Sequence, residues 1–175
     1  MVEKIDRSEK ITLRDLIITI AVSIVLSGLF LMFFRISTVQ GKSMEKTLSD
    51  GDKLILSTTI YKMEKPKYKD IVVVKREDLS VKYIIKRVIG VEGDKISIKD
   101  NQLYVNGELI HENYINEKMS TTDFETIIPK GKVFVMGDNR NQSTDSRYEE
   151  IGLIDWDTQI YGKAIFDVNK FWSRI

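Results

Sequence analysis

Residues 70–89 read Asp70-Ile71-Val72-Val73-Val74-Lys75-Arg76-Glu77-Asp78-Leu79-Ser80-Val81-Lys82-Tyr83-Ile84-Ile85-Lys86-Arg87-Val88-Ile89. Two β-branched runs, Asp70–Lys75 and Val81–Ile89, are too short and too rich in Val and Ile for helices, so each is expected to be a strand. The same reading extends outward to Lys53–Thr59, Lys132–Met136 and Tyr161–Val168, the last with Gly162 near its start. Ile96-Ser97-Ile98-Lys99 alternates apolar and polar. Leu103–Ile110 holds a strand, an Asn106-Gly107 turn and a second strand, because Asn-Gly tolerates the positive φ angles of a type I′ hairpin. Gly51-Asp52, Gly93-Asp94, Gly131-Lys132 and Gly137-Asp138 punctuate these runs as turns. Asn113–Glu125 is polar without a clear period and reads as a loop or a small excursion outside the core. The predicted fold class is mainly β, an antiparallel sheet domain over residues 35–175, with a small β excursion at about 95–130.

One segment breaks the pattern. Leu16–Phe34, LIITIAVSIVLSGLFLMFF, carries no charge. At ~1.5 Å per residue it is close to the ~30 Å hydrocarbon thickness of a bilayer. An apolar run on every helical face suits lipid better than a soluble core, so residues 16–34 are expected to be a transmembrane anchor. A cleaved signal peptide would have a shorter apolar region and small residues at its end. Met32-Phe33-Phe34-Arg35 is a poor cleavage site. Lys4, Arg7, Lys10 and Arg14 precede the run, against Arg35, Lys42 and Lys46 after it. By the positive-inside rule residues 1–15 are then cytoplasmic and residues 35–175 extracytoplasmic.

Composition narrows the chemistry. Lys plus Arg number 27 against 26 Asp plus Glu, a balance that argues against a nucleic-acid binder. The absence of cysteine removes disulfides, thiolate metal sites and cysteine nucleophiles. The single histidine, His111, excludes a His-rich metal site and reads as an exposed loop residue.

Three patches exceed generic strand and turn: Gln40–Leu48 (QGKSMEKTL), Tyr83–Gly90 (YIIKRVIG) and Gly137–Arg147 (GDNRNQSTDSR). Each alone has a bland reading: a loop serine, a lysine on the solvent face of a sheet, a salt-bridged loop. Asp138, Asn139 and Asp145 are oxygen ligands, but the loop lacks the ligand spacing and closing Glu of an EF-hand. A serine hydroxyl needs an adjacent base to act as a nucleophile, and a lysine is the simpler choice than His111. A free Lys has a pKa of ~10.4, and burial against apolar neighbours lowers it. On a strand Ile84 and Val88 share the face of Lys86, whereas Arg87 points to the other.

Together the patches resemble the bacterial type I signal peptidase (leader peptidase) family. The order matches as well as the content: an N-terminal anchor, Gly-x-Ser-Met, Gly-Asp, Lys-Arg-Val-Ile-Gly, then Gly-Asp-Asn-Arg with Ser-x-Asp-Ser-Arg. The resemblance implies a catalytic domain of signal-peptidase type that uses no metal or other cofactor. It implies Ser43 as nucleophile, Lys86 as general base through an acyl-enzyme, and the Ser43 N–H as an oxyanion donor. Some relatives add a serine hydroxyl two residues before the nucleophile. Here that position is Gly41, whose N–H or a water would serve instead. Ser143 resembles the serine that orients the lysine amine, and Arg87, Asp145 and Arg147 look structural. Met44, Leu48, Ile84 and Ile85 match positions lining a small substrate pocket. The implied partners are exported preproteins with small residues at −1 and −3 of the signal peptide, together with membrane lipid. Ile36, Val39, Met44 and Leu48 form either an apolar rim against lipid or ordinary core.

The chain departs from the family pattern twice, with Lys46 and Glu92 where relatives usually carry proline. A charge at Lys46 near the cleft suggests a peptidase specialised for pilin or another surface protein. Two other readings are a Ser-Lys autoprotease of the self-cleaving repressor type and a catalytically silent, membrane-anchored surface-binding module. The membrane helix argues against the first, and the presence of both Ser43 and Lys86 against the second. A Ser-His relative would carry histidine at position 86.

Overall fold

The computed structural model describes residues 12–76 and 82–172 and divides into two units, one ending at Phe33 and one beginning at Phe34. Lys4, Arg7 and Lys10 of the charge bias, and Val81, expected to open a strand, lie outside the described residues.

The first unit holds helix α1, Leu13–Phe33. It begins three residues before the expected anchor because Thr12 caps it. The Thr12 Oγ1 accepts from the Asp15 N–H at 3.3 Å, and the Thr12 N–H donates to Asp15 Oδ2 at 3.0 Å. This reciprocal pair satisfies donors a helix start otherwise leaves open. None of its side chains is buried within the protein, and its length and apolarity suffice to cross a membrane.

The second unit contains two antiparallel sheets. The larger is built from β1 (Phe34–Thr38), β2 (Lys53–Ser57), β3 (Ile71–Lys75), β4 (Tyr83–Gly90), β9 (Lys132–Met136), β10 (Ile154–Asp155) and β11 (Ile160–Asp167), in the order β1-β2-β11-β3-β4-β9-β10. The smaller comprises β5 (Lys95–Lys99), β6 (Gln102–Val105), β7 (Glu108–Leu109) and β8 (Phe124–Ile127), in the order β7-β6-β5-β8. A short helix α2, Val168–Trp172, follows β11.

Most strands fall where the β-branched runs predicted them. Asn106 and Gly107 take φ of 55° and 85° in the expected tight turn. Three differences stand out. Phe34 leaves the helix to pair with Ser57, so the apolar run ends in a strand and not in more helix. β8 occupies the end of the polar stretch read as loop, pairing Phe124 with Ile98. β2 stops at Ser57, short of Thr59.

The core follows strand alternation. Val72 and Val74 join Val88, Val133, Val135 and Ile154 in one cluster, while Val73 packs with Leu54 and Leu56 in another. Successive β3 residues thus bury opposite faces. Val39, Met44 and Leu48 complete the second cluster, which settles their role as core. Ile36 alone of that group is exposed, at 68%. A third cluster joins the sheets, with Ile89, Phe134 and Met136 against Ile96, Ile98, Leu103 and Ile128.

Phe134 is fully buried at this junction. Phe134→Ala is expected to lower unfolding stability by about 3–5 kcal/mol through lost transfer energy and the cavity left behind. Chemical denaturation of the detergent-solubilised chain checks this.

Candidate active site

Three segments converge. The loop after β1 carries Ser43, β4 carries Lys86, and the loop after β9 carries Asp138 to Arg147. Lys86 Nζ lies 2.9 Å from Ser43 Oγ, within hydrogen-bond distance. The lysine is only 3% exposed. Burial pushes its amine down from an ordinary 10.5 to about 8, with Asp145 and Asp138 pulling it up and Arg147 down. A lysine in this range is neutral often enough near pH 8 to accept a proton from a hydroxyl at that distance.

The carboxylates around the lysine are themselves matched. Arg87 Nε and Nη2 donate to Asp138 Oδ1 and Oδ2 at 2.7 and 2.6 Å. Arg147 Nε and Nη2 donate to Asp145 Oδ1 and Oδ2 at 2.8 and 2.9 Å. Both carboxylates are fully buried, and a buried charge is tolerated when paired and hydrogen-bonded in this way. Arg87 and Lys86 alternate along β4, and the guanidinium is committed to Asp138.

Backbone contacts hold the Ser43 loop against the third segment. The Asn139 N–H donates to the Ser43 carbonyl at 3.0 Å. Gly137 makes the approach possible. A Cβ there would fall 2.5 Å from Ser43 O and 2.3 Å from Ser143 Oγ. The Gly137 N–H donates to Asp145 Oδ2 at 2.9 Å. The Ser43 N–H has no acceptor among the described residues, so it is open to an incoming oxygen.

Other expected site residues take different places. Ser143 Oγ donates to Asp145 Oδ2 at 2.8 Å. No bond between Ser143 and the Lys86 amine, which the resemblance implies, is present among the described residues, where the amine bonds Ser43 Oγ. The Gly41 N–H, considered for the oxyanion, donates to Asp50 Oδ1 at 2.8 Å. Met44 and Leu48 lie in the core and do not line the groove beside Ser43. That groove, of about 420 Å³, is lined by Ile84, Ile85, Leu56 and Val73, by β1 residues 35–38, and by Tyr83 and Tyr161. Those two tyrosines meet edge to face, 5.2 Å between centroids. Neither was anticipated, because exposed tyrosines on separate strands carry no spacing signal. His111 is exposed and lines a separate pocket beside the small sheet.

The sequence model of the family described as signal peptidase, peptidase S26, matches residues 12–169. The chain belongs to this family. Signal peptidase I of Bacillus licheniformis is 37% identical over 166 residues, covering 89% of this chain and 88% of that protein. Signal peptidase I T of Bacillus subtilis (strain 168) is 39% identical over 158 residues, covering 84% and 80%. A crystal structure of a signal peptidase I from Enterococcus faecalis V583 superposes with a TM-score of 0.50 at 30% identity, covering 58% of this chain and 98% of that one. The chain is therefore a signal peptidase I-type hydrolase, and α1 fits the membrane anchor of such an enzyme.

Both departures from the signal peptidase pattern have structural substitutes. Lys46 sits at φ 78°, a value a proline ring cannot reach. Its amine donates to the carbonyls of Asn113 at 2.9 Å and Ile115 at 3.2 Å. Lys46 is thus committed to these carbonyls and does not line the groove. Glu92 bonds Lys65 Nζ at 2.5 Å and the Gly131 N–H at 3.1 Å, cross-linking a turn that a proline would otherwise stiffen.

A pKa depressed by burial also appears in stability. Between about pH 8 and the ordinary 10.5 the unfolded chain binds more protons at Lys86 than the folded one, so stability rises with pH across that window and the penalty is complete below it. Lys86→Met keeps the volume and removes the charge. It is expected to stabilise the protein at pH 7 by up to roughly 3 kcal/mol, with the gain vanishing near pH 10.5. Unfolding of both forms at the two pH values checks the sign.

Proposed function

We propose that this chain removes N-terminal signal peptides from exported preproteins, with Ser43 as nucleophile and Lys86 as general base. The observation that carries the reading is the 2.9 Å approach of a buried lysine amine to a serine hydroxyl.

The neutral Lys86 amine takes the Ser43 hydroxyl proton as Oγ attacks the scissile carbonyl carbon. The Ser43 N–H donates to the oxyanion, a contact typically worth ~2.7–4 kcal/mol. Lys86 then passes its proton to the departing amine as the C–N bond breaks, leaving an ester on Ser43. A water attacks the ester, Lys86 accepts its proton, and the acid is released with Oγ reprotonated.

The substrate segment lies in the groove between β1 and β4 as an extended chain. The pairing of β4 with β9 begins at Arg87, so residues 83–86 adjoin a site where an extended peptide can add main-chain hydrogen bonds. Apolar walls from Ile84, Ile85, Leu56 and Val73 suit small aliphatic residues at −1 and −3. Helix α1 spans the bilayer with the N-terminus cytoplasmic and the domain from Phe34 outside. A signal peptide's apolar segment occupies the same bilayer, so its cleavage site emerges near Ser43. Since the Lys46 amine is bonded to backbone carbonyls, the charge that suggested a pilin-dedicated enzyme does not face the groove. The general reading is the one supported.

A preprotein with Ala at −1, incubated in detergent, should be cut after that residue by the wild type. Ser43→Ala and Lys86→Ala should each lose at least about 10³-fold. Full activity in Lys86→Ala would overturn the assignment. The kcat/KM profile should rise with pH to a plateau with a midpoint of about 8, because only the neutral amine serves.

A further inference from the structure

Ser43 and Lys86 belong to segments far apart in sequence, yet a reactive pair must be held to within about 0.5 Å. The stretch Glu112–Ile115, between β7 and β8, touches the neighbours of both. Its Asn113 and Ile115 carbonyls accept from Lys46 Nζ, three residues after Ser43. Its Tyr114 ring lies 4.2 Å from the guanidinium carbon of Arg87, adjacent to Lys86. Its Glu112 carboxylate takes a two-pronged bond from Arg140, and both side chains are buried. The Tyr114 hydroxyl donates to the same Glu112 at 2.5 Å.

Arg140 carries this grip into the site. Its Nε donates to the Gly137 carbonyl at 3.0 Å, and its own carbonyl accepts from Arg147 at 2.6 Å. Gly137 is the residue packed against Ser43 O. Four consecutive residues of the accessory segment thus hold the serine loop, the lysine strand and the Asp138–Arg147 loop together. None of Lys46, Glu112, Tyr114 or Arg140 lines the groove.

We propose that Glu112–Ile115 is a positioning strap that sets the Ser43–Lys86 separation, with Lys46 and Tyr114 as positioning residues. This rests on the Ser43–Lys86 reading above. Because the strap lies outside the groove, releasing it displaces the reacting pair and leaves peptide binding as it was. A displacement near 1 Å can cost up to ~10² in rate.

The test uses the full chain in detergent, with variants Lys46→Met, Lys46→Arg and Tyr114→Leu. Two readouts are taken, the kcat and KM on a preprotein, and hydrogen exchange of the Asn139 amide, which bonds Ser43 O. Lys46→Met and Tyr114→Leu should lower kcat by about tenfold, leave KM unchanged, and speed Asn139 exchange by a similar factor. Lys46→Arg keeps a donor and should restore both. Unchanged kcat, with or without faster exchange, would overturn the strap. So would a loss that follows the folded fraction and is not rescued by Lys46→Arg. Ser43→Ala and Lys86→Ala run beside these separate the two failures. Activity surviving in either rejects the pair itself, while activity lost there but wild-type kcat in the strap variants rejects the strap alone.

Discussion

A lysine amine serves as a base near neutral pH only while water and unbalanced negative charge are kept from it. The rest of the site can be read from that constraint. Lys86 is almost wholly buried, and desolvation is the largest influence on its amine. Asp138 and Asp145 act against it, each favouring the charged form. Arg87 and Arg147 grip those two carboxylates with paired bonds, and Arg147 itself disfavours a second nearby cation. The two ion pairs therefore serve a different end from simple stability, since buried pairs seldom repay their desolvation in full.

The sheet makes such burial possible. Both faces of β3 are covered, and Val39, Met44 and Leu48 fill the core alongside Leu54, Leu56 and Val73. The serine is thereby fixed between core residues on one side and the Gly137–Asn139 backbone on the other. Gly137 is required for its missing side chain, and Ser43 O comes closer to it than any Cβ would allow. The small sheet, joined to the large one through Phe134 and its neighbours, delivers the Glu112–Ile115 stretch back to the site.

Much of this was legible in the chain. Val/Ile runs mark the strands because β-branched side chains favour a pleated, half-buried surface, and Asn106-Gly107 marks its turn because both residues accept positive φ. The ordered motifs around Ser43, Lys86 and Gly137–Arg147 foretold which segments meet. What stayed hidden depends on direction and depth. Met44 and Leu48 are as apolar as pocket residues, and only packing reveals that they sit in the core. The resemblance implies a Ser143 bond to the amine, whereas the Ser143 hydroxyl donates to Asp145, two residues away. Lys46 reads as a charge near the cleft until its amine is seen on the Asn113 and Ile115 carbonyls. Glu112 and Arg140 are 28 positions apart, and no periodicity announces such a pair.

The proposed chemistry at Ser43 depends on the charge state of one amine. Direct titration of Lys86 by NMR of lysine-labelled full-length chain in detergent, assigned with Lys86→Met, tests it without reference to any substrate. A midpoint of about 8 is the expected result. A Lys86 signal that titrates at the ordinary 10.5 would contradict the account, because the amine would then remain charged where it is required to accept a proton.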